Sequence, residues 1–309
     1  MGMIKLKPAC KDYIWGGNRL KERFGKDCEG DILAESWELS AHKDGPSIVA
    51  EGEYEGASFP EYIEKKGKQV LGKKGGKFEF FPVLIKFIDA KQNLSVQVHP
   101  DDEYALKNEG QYGKTECWYI VDAEPGAGIF FGLKEELTKE EFEKKIRDDS
   151  LMDVLNFVPV KKGEMYFIRS GTLHAIGAGT LIAEIQQNSN VTYRVYDFGR
   201  VGADGKPREL HIKKALEVSD LSGKMPHYDF GDHLAKCDYF TVDGLETANA
   251  DSLIADEDSF VSVLFTEGEG SISVGDVSMK YRSGDSFFID AGSGRAEIKG
   301  SGKALVTRV

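Results

Sequence analysis

The stretch Leu94-Ser95-Val96-Gln97-Val98-His99-Pro100-Asp101-Asp102 constrains this chain more than any other. Ser95, Gln97 and His99 alternate with Val96 and Val98, and alternate residues of a β-strand share a face. Three polar side chains on one side and two valines on the other describe a strand that lines a wet cavity or a metal site. Pro100 ends the ladder and fits the first turn of a helix, where Asp101 and Asp102 complement the positive end of the dipole.

Two further fragments bear on the same chemistry: Gly113-Lys114-Thr115-Glu116-Cys117-Trp118 and Ser170-Gly171-Thr172-Leu173-His174. With Gln97 and His99 they offer two imidazoles, one carboxylate and one amide oxygen, a nitrogen-and-oxygen set that suits zinc. The plainer reading makes His99 and His174 ordinary strand histidines satisfied by hydrogen bonds. For a single histidine that reading wins; the combination and its order weigh against it. His42, His211, His227 and His233 lack such company and read as surface or core residues.

Short strands and turns fill the N-terminal region, with Trp37-Glu38 either a buried aromatic beside a solvated acid or part of a cleft wall. Ser58-Phe59-Pro60-Glu61 opens a helix, residues 65–77 read as its solvated end and a loop, and 81–90 as a buried strand whose Lys86 snorkels to the edge. Apolar spacing predicts helix over 135–156, with a capping box at Thr138 and Glu141, strand at 163–168 and a short amphipathic helix over 211–221. The C-terminal region then repeats an earlier pattern: residues 284–292 (GDSFFIDAG) echo 163–171 (GEMYFIRSG), and 261–270 echo 117–126. Paired short strands ending in Gly-Asp or Gly-Glu turns are the mark of a cupin-type double-sheet jelly roll.

The expected fold is therefore mainly β, with two cupin-type jelly-roll barrels and a few helices packed on the first. Residues 1–238 are expected to form the metal-binding domain with its short helical insertion. Residues 239–309 form a degenerate cupin-like domain, because Arg295 stands at the position of His174 and residues 240–309 contain no histidine.

In order and spacing the three fragments resemble the type I mannose-6-phosphate isomerases. The run 184–197 (EIQQNSNVTYRVYD) is similar to that family's arginine-bearing segment, and Tyr13-Ile14-Trp15-Gly16-Gly17 and Ala34-Glu35-Ser36-Trp37-Glu38-Leu39-Ser40 carry the likeness to the N-terminus. The length matches the short bacterial form. The resemblance implies one zinc ion per chain on Gln97, His99, Glu116 and His174. It also implies an aldose–ketose isomerase joining mannose 6-phosphate and fructose 6-phosphate through an enediol. Arg194, Lys114 and Glu184 would be its catalytic groups, and Ser95, Lys114 and Arg194 its phosphate contacts. Lys114 and Glu184 both stay open as the base, and Arg194 has a plainer alternative as an ion pair with Asp197 or Glu184. Thr115 stands where some relatives carry proline, which leaves that loop's geometry open. The competing function is a non-catalytic metal-containing cupin that binds or senses a sugar phosphate; Arg194 and Lys114 beside a full ligand set favour the enzyme. A metal-dependent oxygenase is weaker, since such sites want an iron-friendly face of histidines and carboxylate.

The net charge of −12 argues against nucleic acid or an anionic membrane as partner. It also requires a locally basic mouth for a phosphorylated substrate, for which Lys86, Lys114, Arg194 and Arg200 are available. No apolar run approaches the roughly 20 residues of a membrane span, and the first residues are too poor in apolar side chains for a secretory signal. Four scattered cysteines without a C-x-x-C pair suit a reducing cytoplasm. A monomer and a homodimer fit equally well.

Overall fold

The computed structural model describes residues 2–202, 205–225 and 227–309. It resolves into two compact units: Met1–Lys11, Asn18–Phe87 and Phe230–Val309 make one, Asp12–Gly17 and Ile88–Asp229 the other. Compactness thus divides the chain at 229/230 and groups most of the first 87 residues with the C-terminal segment. The reason lies in strand pairing, since Met3–Lys7 runs antiparallel to Ser286–Ile289 with Met3 opposite Ile289. Among the described residues no helix is long and apolar enough to cross a membrane.

The first unit is built on a nine-stranded sheet. Its order runs Ala235–Lys236, Thr241–Thr247, Gly294–Arg308, Val261–Val274, Ser286–Ile289, Met3–Lys7 and Ile48–Val49, with Ala250–Ala255 and Val277–Arg282 as side branches. Alternate residues Val261, Val263 and Phe265 join Phe287, Ile289, Ile298 and Val306 in one apolar core, as period-two patterning demands. The C-terminal echo is real at the level of pairing. Val261–Leu264 pairs antiparallel with 286–289, and Glu116–Tyr119 pairs with Met165–Ile168 in the other unit, one residue out of step with it.

Several sequence expectations change here. The strand Glu35–Leu39 is buried throughout, so Glu38 is not a solvated acid: Lys26 donates to it at 2.7 Å and Ser36 at 2.6 Å. Lys86 does not snorkel; it lies 3.5 Å from Glu35 and 4.9 Å from the Trp37 ring centroid, at 5% exposure. A carboxylate and an aromatic face make burial of that ammonium tolerable. The segment 65–77 is more ordered than a solvated loop, with a 3₁₀ turn Lys68–Leu71 that buries Val70 and Leu71. Cys10 and Cys28 form a disulfide with Cα atoms 6.2 Å apart. The helix Arg19–Phe24 stops at Gly25 in the left-handed region, and the chain returns Cys28 toward the strand Ala9–Lys11.

In the second unit, the strands Tyr193–Tyr196, Val96–Val98, His174–Ile176, Gly128–Leu133 and Leu155–Pro159 form a five-stranded sheet in that order, while Met165–Ile168, Glu116–Ala123 and Thr180–Gln187 lie side by side in another. Val96 and Val98 pack with Leu173, Ala175, Tyr193 and Val195 into a core closed by helix residues Phe142, Ile146 and Ala215. That apolar sealing of one sheet face leaves the other free for polar side chains. The helix predicted over 135–156 is interrupted: Lys139–Arg147 ends at Asp148, Asp149 takes φ 61°, and a 3₁₀ turn Leu151–Val154 leads into the strand. Two acids and a serine at 148–150 favour turns over helix. The Thr138–Glu141 capping box is formed. Thr138→Ala is expected to lower stability by about 1 kcal/mol in urea unfolding without altering turnover. Asp101 caps Asp102–Asn108 by accepting from the Tyr104 N–H at 2.9 Å, so Pro100 precedes the cap instead of occupying the first turn.

Candidate metal centre

The strand register fixes the site. His174 lies opposite Gln97, and Gln97 lies opposite Arg194 on its other side. Directly opposed residues of antiparallel strands share a face, so His174, Gln97 and Arg194 form one row across the sheet. His99 follows Gln97 by two residues on the same face. Glu116 comes from the first position of Glu116–Ala123.

His99, Glu116 and His174 are all buried and each offers a ligand atom within 4.8 Å of the others. The two Nε2 atoms are 3.2 Å apart; Glu116 oxygens lie 3.6 Å from His99 Nε2 and 3.4 Å from His174 Nε2. Each ring donates its Nδ1 proton to a backbone carbonyl, His99 to Val191 and His174 to Thr172, both at 2.8 Å. Carbonyls only accept, so the tautomer is set and the Nε2 lone pairs turn inward, the arrangement of metal-bound imidazoles. Burial, reinforced by the charge of Lys114, drops the His174 pKa to about 3 and keeps that ring neutral. Two bare nitrogens and a carboxylate at this spacing repel one another unless a cation lies among them, and the donors fit a divalent ion. Here the ammonium of Lys114 supplies positive charge, donating to Glu116 and lying 3.1 Å from His99 Nε2.

The other expected residues gather around this cluster. Glu184, buried in Thr180–Gln187, accepts from the Trp118 indole at 2.9 Å and lies 3.8 Å from Lys114 Nζ. Trp118 also meets the His174 ring edge-on at 5.4 Å. Arg194 donates from Nε to Ser95 Oγ at 3.3 Å and from Nη1 to the Glu209 carbonyl at 3.0 Å. The ion pair considered for it with Asp197 goes elsewhere, since Asp197 binds Arg200 and Arg208. Of the four cations considered for a basic mouth, Lys86 belongs to the other compact unit, and Lys114 is buried among the donors.

The loops explain why these side chains hold their places. Thr115 donates its N–H to Gln187 Oε1 at 2.7 Å, and its hydroxyl accepts from the Ser170 N–H at 3.3 Å. A proline could make neither bond, so this chain anchors the Lys-x-Glu segment by its own means. Gly171 has φ 85° and donates its N–H to the His99 carbonyl at 2.8 Å, a left-handed conformation that favours glycine. Gly17 approaches Asp89 so closely that a Cβ would collide with its carboxylate. A cavity of about 790 Å³ is lined by residues 169–173 with Tyr104, Glu217 and Asp220 among others, but by none of the donors.

Sequence reasoning missed His211. Its Nδ1 accepts from the Arg194 N–H at 3.2 Å and its own N–H donates to the Arg194 carbonyl at 2.8 Å, a two-point tie that no spacing in the sequence announces. It also missed Arg208, which donates to Asp197 in place of Arg194.

Comparison with known proteins bears on the same residues. Residues 3–124 match the catalytic domain of phosphomannose isomerase type I, and residues 231–309 the cupin domain of mannose-6-phosphate isomerase. The chain is 37% identical to the mannose-6-phosphate isomerase ManA of Bacillus subtilis over 98% of both chains. It is 45% identical to the mannose-6-phosphate isomerase of Streptococcus mutans over 66% of this chain and 64% of that one. A crystal structure of the Bacillus subtilis mannose 6-phosphate isomerase superposes with TM-score 0.90 at 35% identity, covering 100% of both chains.

Proposed function

Because the chain belongs to the type I phosphomannose isomerase family, we propose that it interconverts D-mannose 6-phosphate and D-fructose 6-phosphate with one zinc ion held by Gln97, His99, Glu116 and His174. The row His174–Gln97–Arg194, with His99 and Glu116 beside it, carries this reading. When bound, zinc supplies Lewis-acid polarisation of the sugar oxygens at C1 and C2.

The rest falls to the chain. A proton leaves C2 and returns to C1 through an enediol, while another passes between O1 and O2. Lys114 or Glu184 serves as the base of this shuttle; the burial of both groups, 3.8 Å apart, and the bond from Trp118 to one Glu184 oxygen support the reading. Arg194 places a permanent charge where the enediolate or the phosphate gathers negative charge. Ser95 stands two residues from Gln97 on the same face, about 7 Å along an extended strand. That spacing lets one sugar phosphate reach from the metal to Ser95 and Arg194. Residues 1–238 would hold all the chemistry, with 239–309 as scaffold. A phosphorylated sugar as substrate suits the cytoplasm.

Elemental analysis of the purified protein together with a coupled assay on mannose 6-phosphate tests the proposal. The expected outcome is close to one zinc per chain and turnover dependent on it. Zinc without turnover would favour the non-catalytic sugar-phosphate cupin instead.

A further inference from the structure

The strand Thr180–Gln187 ends on two glutamines to which the chemistry above gives no part. Strand alternation sends their side chains to opposite faces. Gln186 lies opposite Glu116 and therefore shares its face, the side of the donor cluster. Gln187 points the other way. Both are buried, at 0% and 3% exposure. Gln186 Nε2 donates to the Gln187 carbonyl at 2.8 Å and to the Ser189 carbonyl at 2.7 Å. Ser189 donates its own N–H to the Gln187 carbonyl at 2.7 Å, and its hydroxyl accepts from the Val191 N–H at 3.3 Å. The turn 187–191 closed by these bonds delivers the Val191 carbonyl to His99 Nδ1. Because carbonyls only accept, the Gln186 amide is held in one orientation. Its Oε1 then finds no donor among the described residues. A buried unpaired acceptor lowers stability, and leucine or methionine would fill the same space without one. What the amide contributes is the geometry of the turn rather than net stability.

Gln187 reaches the other donor-bearing segment. Its N–H donates to the Thr115 carbonyl at 3.0 Å, and its Oε1 accepts from the Thr115 N–H at 2.7 Å, so both backbone groups of Thr115 are fixed by one residue. Its Nε2 donates to Asp102 Oδ1 at 2.9 Å, an oxygen that also accepts from the Gly113 N–H at 2.8 Å. Thr115 stands between Lys114 and Glu116, and Asp102 follows His99 by three residues. Two adjacent side chains, turned to opposite faces, thus tie the His99 partner and the Glu116 segment to the end of one strand.

Resting on the zinc centre of the reading above, we propose that Gln186 and Gln187 are positioning residues of that centre. Gln186 sets the His99 ring through the turn 187–191, and Gln187 sets the Glu116 carboxylate through Thr115. The competing explanation is a brace that serves folding alone.

Zinc affinity, measured by competition with a chromophoric chelator, and NMR of the imidazole nitrogens in the metal-free protein separate the two. Gln186→Leu is expected to weaken zinc affinity about ten- to hundredfold, the usual cost of losing a group that orients a metal ligand. The Nδ1–H signal of His99 should broaden or vanish. That of His174, whose partner is the Thr172 carbonyl, should stay. Gln187→Ala should weaken zinc to a similar extent and leave both ring signals in place, which keeps a test available if Gln186→Leu folds poorly. A folding brace instead gives a lowered Tm in the metal-free variants with zinc affinity and ring signals as in the parent, and that result would overturn the proposal. So would joint loss of both ring signals in Gln186→Leu. A parent protein that binds zinc but does not turn over mannose 6-phosphate would sink the isomerase reading and leave the zinc measurements to decide the role of the two glutamines.

Discussion

Stripped of metal by a chelator, the protein is expected to lose mannose 6-phosphate turnover by at least about 10³-fold, and zinc added back should restore it. The size follows from the role: Lewis-acid stabilisation of the developing oxyanion is worth several kcal/mol, and each 1.4 kcal/mol is roughly a factor of ten. His174→Ala should reproduce the loss without rescue by zinc, because it removes one of the three donors that lie within 4.8 Å of one another. The fold should survive both treatments. The apolar core around Phe142, Leu151 and Val195 lies on the face of the sheet opposite the donors, and circular dichroism would register its loss. Turnover that persists at the parent rate in protein shown by elemental analysis to be metal-free would remove the metal from the mechanism.

Arg194→Ala is the second large effect. It should lower kcat by about 10²- to 10³-fold, the usual consequence of deleting a preorganised donor to a developing charge, while zinc content stays at the parent level. The guanidinium donates to neutral oxygens, Ser95 Oγ and the Glu209 carbonyl, so its removal orphans no buried carboxylate bonded to it and Tm should move little. Arg194→Lys should recover only a small part of the rate, because a point charge cannot reproduce a two-pronged contact. Steady-state kinetics on both variants checks this. A kcat within threefold of the parent would make Arg194 a binding group alone.

The parts of the site legible in the sequence are those written in strand alternation. Ser95, Gln97 and His99 had to share a face once the valines between them were buried, and the C-terminal echo foretold a second set of paired strands. The helix opening at Ser58 and the capping box at Thr138 formed because each needs only four consecutive residues. What could not be read depends on contacts between residues with no periodic relation. Nothing local marks Lys26 as the partner of buried Glu38, or Glu35 as that of Lys86. The Asp197–Arg208 bond and the double tie between His211 and Arg194 require the chain to fold back on itself first. The break at Asp149 was hidden by apolar residues that keep helical spacing on both sides of it.

The row of opposed residues has a consequence for how such a protein can change over time. Because His174, Gln97 and Arg194 meet only through strand register, shifting the Val96–Val98 strand by one position would turn every polar side chain into the apolar core and every valine toward the donor cluster. Inserting or deleting a single residue in that strand is therefore a heavier lesion than replacing either valine. The centre can be revised letter by letter, but its spelling cannot change in length.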